Sequence, residues 1–234
     1  MLNTGYLGKN MIILGIETAT MTGGLALIDE EKLISEYTLN MKTTHSSRLM
    51  PALDWILKDA SLNKNQINGI AISIGPGSFT GLRIGLATAK GLAMGLNIPL
   101  VTVPTLDALA YNVTYSPYQI CPVLDARKKE VYSAIFRYEN GIITRKSPYQ
   151  VISPDELINQ INEKTIMLGD GLNIYGELFH EKLGEFAIFA NNSQRLPRAS
   201  VIAELGLAKL KAGEIADLAS SEPLYIRRAD AEMK

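Results

Sequence analysis

Nine consecutive residues, Gly75-Pro76-Gly77-Ser78-Phe79-Thr80-Gly81-Leu82-Arg83, constrain this chain more than any other stretch. An apolar run, Ile67–Ile74, leads into them and reads as a buried strand. The residues from about Thr80 to Leu96 then read as a helix that is apolar nearly all round, with Arg83 and Lys90 on one side. Strand, glycine-rich loop and helix N-terminus in direct succession admit two readings. The amides at Gly75, Gly77, Ser78, Thr80 and Gly81, aided by the helix dipole, hold an anion. Alternatively, the glycines only supply the backbone angles of a tight turn. The segment is not a P-loop, because no lysine-serine or lysine-threonine pair follows its glycines.

The rest of the chain alternates in the same way. Met11–Ile16, Leu25–Ile28 and Leu33–Leu39 read as strands, and a helix follows, with Thr43 and Thr44 as cap-type residues and an apolar repeat at Leu49, Leu53, Ile56, Leu57 and Ala60. Ile98–Val103 is a strand and Thr105–Asn112 a short helix. From Tyr118 the pattern repeats loosely. Ile120–Leu124, Glu130–Tyr138, Gly141–Arg145, Thr165–Leu168 and Phe186–Phe189 read as strands, and Pro154–Asn162, Leu172–Leu183 and Ala199–Ala212 as helices. Two tandem copies of a βββαβαβα order define a duplicated α/β architecture, with domains expected at 11–115 and 116–234. Actin, the sugar kinases and the Hsp70 chaperones share that plan.

Composition narrows the function. The formal net charge of −1 argues against a chain that grips nucleic acid tightly on its own. Its small basic clusters, Arg127-Lys128-Lys129 and Arg227-Arg228, read either as solvated surface or as contacts to nucleic-acid phosphates. Cys121 is the only cysteine, which suits a reducing cytoplasm. Ile84–Val103 has the length of a membrane span, but Lys90, Asn97 and Pro99 interrupt it, so a buried helix followed by a strand is expected. Residues 1–10 do not read as a signal peptide. They form an N-terminal extension ahead of Met11, either expression-derived or an upstream start.

GPGSFTGLRIG, preceded by ILGIETAT, THSSRLMPALDWIL and IAISIG, resembles the TsaB (YeaZ) family. Further on, DARKKEVYSAIF, the GDG at Gly169-Asp170-Gly171 and the terminal PLYIRR are similar to later landmarks of that family, so the resemblance spans nearly all of 11–228. It implies a fold of the actin/Hsp70/sugar-kinase class. It also implies a non-catalytic subunit that pairs with the transferase TsaD, beside TsaE and TsaC, in adding threonylcarbamoyl to tRNA adenosine. A homodimer when TsaD is missing, and tRNA contact only within the complex, follow from the same resemblance.

The residues fit that division of labour. Where TsaD relatives carry two metal-binding histidines on a helix, this chain has Thr105 and Leu109, and leucine cannot ligate a metal. His45 and His180 each lack a second histidine nearby in sequence. The first turn reads Glu17-Thr18-Ala19-Thr20, with a longer glutamate where actin-class enzymes use aspartate. Weak ATP or ADP binding at Thr18, Thr20 and the glycine loop is therefore expected, without hydrolysis. Asp125 is the nearest counterpart in the second half, but reads rather as the charged end of a strand. Trp55 projects roughly 140° from the apolar face of its helix, beside Arg48 and Ala52. With Arg83, Gly85, Leu86, Lys90 and Met94 it makes up the expected contact for the partner. The rival readings are a nucleotide-dependent enzyme of the actin class and a relative of M22-like metallopeptidases.

Overall fold

The computed structural model describes residues 11–40 and 48–227. The expected N-terminal extension, the capping threonines Thr43 and Thr44, His45 and Arg228 lie outside the described residues. Two compact units are present. One comprises the described residues up to Ile74 with Ser78–Val103 and Arg198–Pro223; the other comprises Gly75–Gly77, Pro104–Pro197 and the chain from Leu224 on.

The first unit is built on five strands: β1 (Ile12–Glu17), β2 (Thr22–Ile28), β3 (Leu33–Asn40), β4 (Ile67–Ser73) and β5 (Leu100–Val103). Their order is β3-β2-β1-β4-β5. Short turns make β1–β2 and β2–β3 antiparallel, whereas β4 and β5 join in parallel. Parallel neighbours need a crossover, and helices α1 (Leu49–Asp59) and α2 (Phe79–Leu96) supply the two.

Side chains alternate across the sheet, so each face has its own character. Leu14, Ile16, Leu25, Leu27, Ile70 and Ile72 pack in one cluster with Leu49, Leu53 and Ile56 of α1 and Leu86, Ala89 and Ala93 of α2. Burying a Leu or Ile side chain contributes about 1.5–3 kcal/mol, so this face supplies most of the unit's cohesion. The other face is lined by small residues. A Cβ on Gly15 would lie 2.1 Å from the Ala199 carbonyl oxygen, and one on Gly206 2.2 Å from the Ala71 Cβ. The helix that uses this room is the last of the chain, Ala199–Lys211.

That placement corrects the expected domain boundary at 115/116. The last helix returns to the first unit because only the small-residue face of that sheet admits its Ala199, Ala203 and Gly206 so closely. Conversely, the helix α3 (Thr105–Tyr111) buries Leu106, Leu109 and Ala110 against Ile120, Leu124 and Phe136, and so belongs to the second unit.

The second unit contains β6 (Gln119–Asp125), β7 (Val131–Ser133), β8 (Phe136–Glu139), β9 (Ile142–Arg145), β10 (Gln150–Ile152), β11 (Thr165–Leu168) and β12 (Ala187–Phe189). Helices α4 (Pro154–Ile158) and α5 (Leu172–Leu183) complete it, and the last helix becomes α6. Its principal order, β10-β7-β6-β11-β12, repeats that of the first unit, antiparallel on one side of β6 and parallel on the other. The duplicated actin/Hsp70/sugar-kinase-like class is thus the fold observed. Two local expectations change. The strand expected over Glu130–Tyr138 keeps one register along β6 but exchanges its outer neighbour, β10 for β9, around Ala134-Ile135, and so forms β7 and β8. The helix expected to Asn162 stops at Ile158, and β10 precedes it where no strand was expected.

Ile84–Val103 divides as expected into the end of α2 and β5, with Asn97 capping the helix in the left-handed conformation at φ 53°. No helix among the described residues is long and apolar enough to cross a membrane.

Candidate functional site

The turn after β1 is closed upon itself. Glu17 is wholly buried, and its Oε1 accepts the Ala19 amide at 2.5 Å, whereas Oε2 makes no hydrogen bond of ordinary geometry. Burial pushes the Glu17 carboxyl up from 4.5 to about 7, against the opposing pull of the Ala19 amide and the Ser73 hydroxyl. Thr18 donates its amide to Ser73 Oγ at 3.4 Å, and its own hydroxyl is buried without a partner. Thr20 Oγ1 donates to the Thr22 carbonyl and accepts the Thr22 amide. The hydroxyls expected to face a ligand therefore serve the turn or lie beneath it.

The glycine loop is likewise committed within the chain. The Ser78 amide donates to the Ala19 carbonyl at 2.6 Å, and Ser78 Oγ caps α2 by accepting the Gly81 amide at 3.3 Å. Thr80 is exposed in the first turn of α2. Gly75 has φ 108°, a region open to glycine, and its carbonyl accepts the Thr105 amide at 2.8 Å. Gly77 belongs with Gly75 to the second unit. Two amides that an anion would use are thus already taken, a geometry closer to the tight-turn reading.

The expected contact residues divide. On α1, Arg48 and Trp55 are exposed and Ala52 is partly so. Trp55 is 54% exposed although it meets Tyr37 of β3 edge-on at 5.4 Å, so a strand residue covers one side of it and leaves the rest open. On α2, Met94 is 70% exposed, and Arg83 is exposed with its guanidinium 3.8 Å over the Phe79 ring. Gly85 and Leu86 do not share this surface. Leu86 lies in the core, and a Cβ on Gly85 would fall 2.0 Å from Thr18 Oγ1, so the glycine lets α2 settle on the first turn. Lys90 is also engaged internally: its Nζ donates to the Ser221 carbonyl at 2.7 Å, tying the segment after α6 to α2. Gly85 and Leu86 are corrected from partner contact to internal support, whereas Lys90 is half-buried. The cause is helical phase, since the sheet side of α2 includes 82, 85, 86, 89 and 93.

At the positions compared with metal-binding histidines, Thr105 and Leu109 are both fully buried on α3. Among the described residues no three His, Cys, Asp or Glu side chains gather as a metal site. His180 is exposed on α5. Asp125 accepts the Arg127 amide at 2.8 Å and pairs with its guanidinium at 3.0 Å, while the Asp125 amide donates to Asp170 Oδ1. Asp170 is raised chiefly by burial.

Sequence reasoning missed two long-range clasps. Glu36 on β3 accepts the amide and hydroxyl of Ser200 and the guanidinium of Arg198, so a carboxylate from β3 serves the start of α6. Arg227 donates to the Ala126 carbonyl at 2.7 Å and contacts the Glu130 carboxylate. Each joins residues about a hundred or more positions apart, which no local pattern signals.

Over residues 32–234 the chain matches the family model described as TsaD: tRNA N6-adenosine threonylcarbamoyltransferase. It is 35% identical over 227 residues to the tRNA threonylcarbamoyladenosine biosynthesis protein TsaB of Bacillus subtilis (strain 168), covering 96% of this chain and 97% of that protein. The protein of the same name from Escherichia coli (strain K12) is 30% identical, with 93% and 95% covered. Among solved structures, YeaZ from Pseudomonas aeruginosa has a TM-score of 0.77 at 24% identity, with 92% of this chain and 99% of that one covered. A second, described as an uncharacterized protein with similarity to peptidase YEAZ from Pseudomonas aeruginosa, has a TM-score of 0.79 at 24% identity, with 93% and 100% covered.

Proposed function

This chain belongs to the TsaB family, and from that premise we propose that it is a non-catalytic subunit in tRNA threonylcarbamoyladenosine biosynthesis. It acts in the cytoplasm by pairing with a TsaD-type transferase, and with TsaE through that pair. The observation that carries the reading is the outer surface of α1 and α2. Both helices pack on the same sheet face, yet Met50, Trp55, Phe79 and Met94 remain open on them. Large apolar side chains exposed on neighbouring helices mark a surface meant to be covered, and a tryptophan is a frequent anchor of such contacts.

The chemistry of the chain supports the non-catalytic part. Glu17, the carboxylate nearest to a catalytic position, accepts an amide of its own turn. Cys121 offers no nucleophile either, since it is buried, hydrogen-bonded to Ser133 Oγ at 3.2 Å and pushed up to about 12 by burial. Weak ATP or ADP binding belongs to the proposal only as a property of the assembled pair.

The test is omission. A reconstituted set of TsaC, TsaD and TsaE with ATP, threonine, bicarbonate and tRNA should form the modified nucleoside only when this chain is added. Equal product without it overturns the proposal.

A further inference from the structure

Successive residues of α2 are turned by about 100°, so burial varies around its axis in a fixed order. Starting from Arg83, the residues Met94, Ala87, Thr80, Gly91 and Gly95 follow within roughly 120° on one side, and all are exposed. A Cβ on Gly91 or Gly95 would meet nothing within 4 Å. On the other side the buried stripe begins at Leu86, roughly 60° away. Lys90 stands between the two, roughly 20° from Arg83 and half-buried. It marks the border of the open sector. From there its Nζ donates to the Ser221 carbonyl at 2.7 Å and draws the segment after α6 to that border.

The segment has anchors of its own. The Ala216 amide donates to the Leu100 carbonyl of β5 at 2.8 Å, and Ala216 and Leu218 pack on the sheet cluster. Asp217 Oδ1 accepts the amide and the hydroxyl of Ser220, both at 2.7 Å, and the Ser221 amide donates to the Asp217 carbonyl at 3.0 Å. The turn over 217–221 is thus closed and attached without Lys90. What the lysine adds is the place of the turn beside α2.

We propose that Lys90 is a positioning residue for the partner surface: through Ser221 it sets the turn 217–221 as one rim of the open sector of α2, and a transferase seated on that sector meets the turn as well. The inference rests on the subunit reading above. Continuity names the occupant, because a body covering Arg83 and Met94 lies within one lysine side chain of the turn that Lys90 holds. Asp217, Ala219 and Ser220 are exposed there, and a largely polar edge beside the apolar Phe79 and Met94 has the make-up of an interface rim.

The experiment joins two measurements on the full chain: NMR order parameters of the turn in the chain alone, and calorimetric titration with a TsaD-type transferase. Lys90→Met should lower the order parameters of residues 219–221 from about 0.85 towards about 0.6 and weaken transferase binding several-fold. Lys90→Arg, which keeps a cationic donor, should retain both. Asp217→Ala opens the turn from its other end and should also weaken binding, and the double variant with Lys90→Met should bind no worse than the weaker single one. Wild-type affinity in Lys90→Met overturns the proposal. So does weakened binding with the turn still rigid, which makes Lys90 a direct contact, and so do strictly additive losses. Should Lys90→Met fail to fold, Asp217→Ala alone decides by the same two readouts, and an unchanged turn or affinity overturns the proposal. A wild-type chain that never pairs removes the subunit reading along with this one, whereas normal pairing by both variants removes this one alone.

Discussion

Glu17 occupies a place where ionisation and folding are in conflict. Its carboxyl is fully buried at the end of β1, and burial raises it from 4.5 to about 7. Below the lower value the carboxyl is protonated whether the chain is folded or not, and its favourable contribution is complete. As pH rises, the unfolded chain ionises first and stability is lost until the folded carboxyl has titrated as well. The difference is worth up to about 3 kcal/mol, spread between pH 4.5 and about 7. Glu17→Gln keeps an oxygen for the Ala19 amide but removes the titration. Urea unfolding at pH 5 and pH 8 should therefore show the wild type losing stability relative to the variant, and parallel profiles would contradict the assignment. The sequence displayed the glutamate in place of a catalytic-type aspartate. It did not display that the side chain folds back on its own turn, because that depends on what β4 and α2 lay over it.

Helix α2 shows how far periodicity carries and where it stops. Its existence, its limits near 80 and 96 and its need for cover on most sides follow from its composition. A helix apolar nearly all round, however, does not announce which apolar stripe meets its own sheet. Gly85 and Leu86 were therefore expected outside and lie inside, whereas Trp55, on the more clearly amphipathic α1, was placed correctly on the open side. Gly85→Ala tests the corrected phase, since its Cβ would strike Thr18 Oγ1. The variant should lose about 1–3 kcal/mol of stability. Thr18→Ala removes a hydroxyl that has no partner and should restore part of the loss, a coupling that a double-mutant cycle by urea unfolding reads directly. Strictly additive effects would place Gly85 elsewhere. The α6 placement was hidden for a related reason. Its small residues, like Gly15, Gly24 and Ala71 on the facing sheet, form one interface between segments more than a hundred residues apart, and neither segment specifies the other.

At the scale of the molecule, the strand order β3-β2-β1-β4-β5 and its echo β10-β7-β6-β11-β12 give each unit a complete core of its own. The duplication was legible as a rhythm of strands and helices, while the return of α6 to the first unit was not. The exposed apolar surface of α1 and α2 is left over when that core is filled, and a TsaD-type transferase is the partner proposed to cover it. Size-exclusion chromatography of the chain mixed with its TsaD-type transferase tests this most directly. The wild-type chain should elute with the transferase as one complex. A variant carrying Trp55→Ala and Met94→Glu should keep its circular dichroism spectrum and lose about 2 kcal/mol or more of binding, eluting apart. A folded variant that still co-elutes at wild-type affinity, or a wild-type chain that never pairs, would contradict the account.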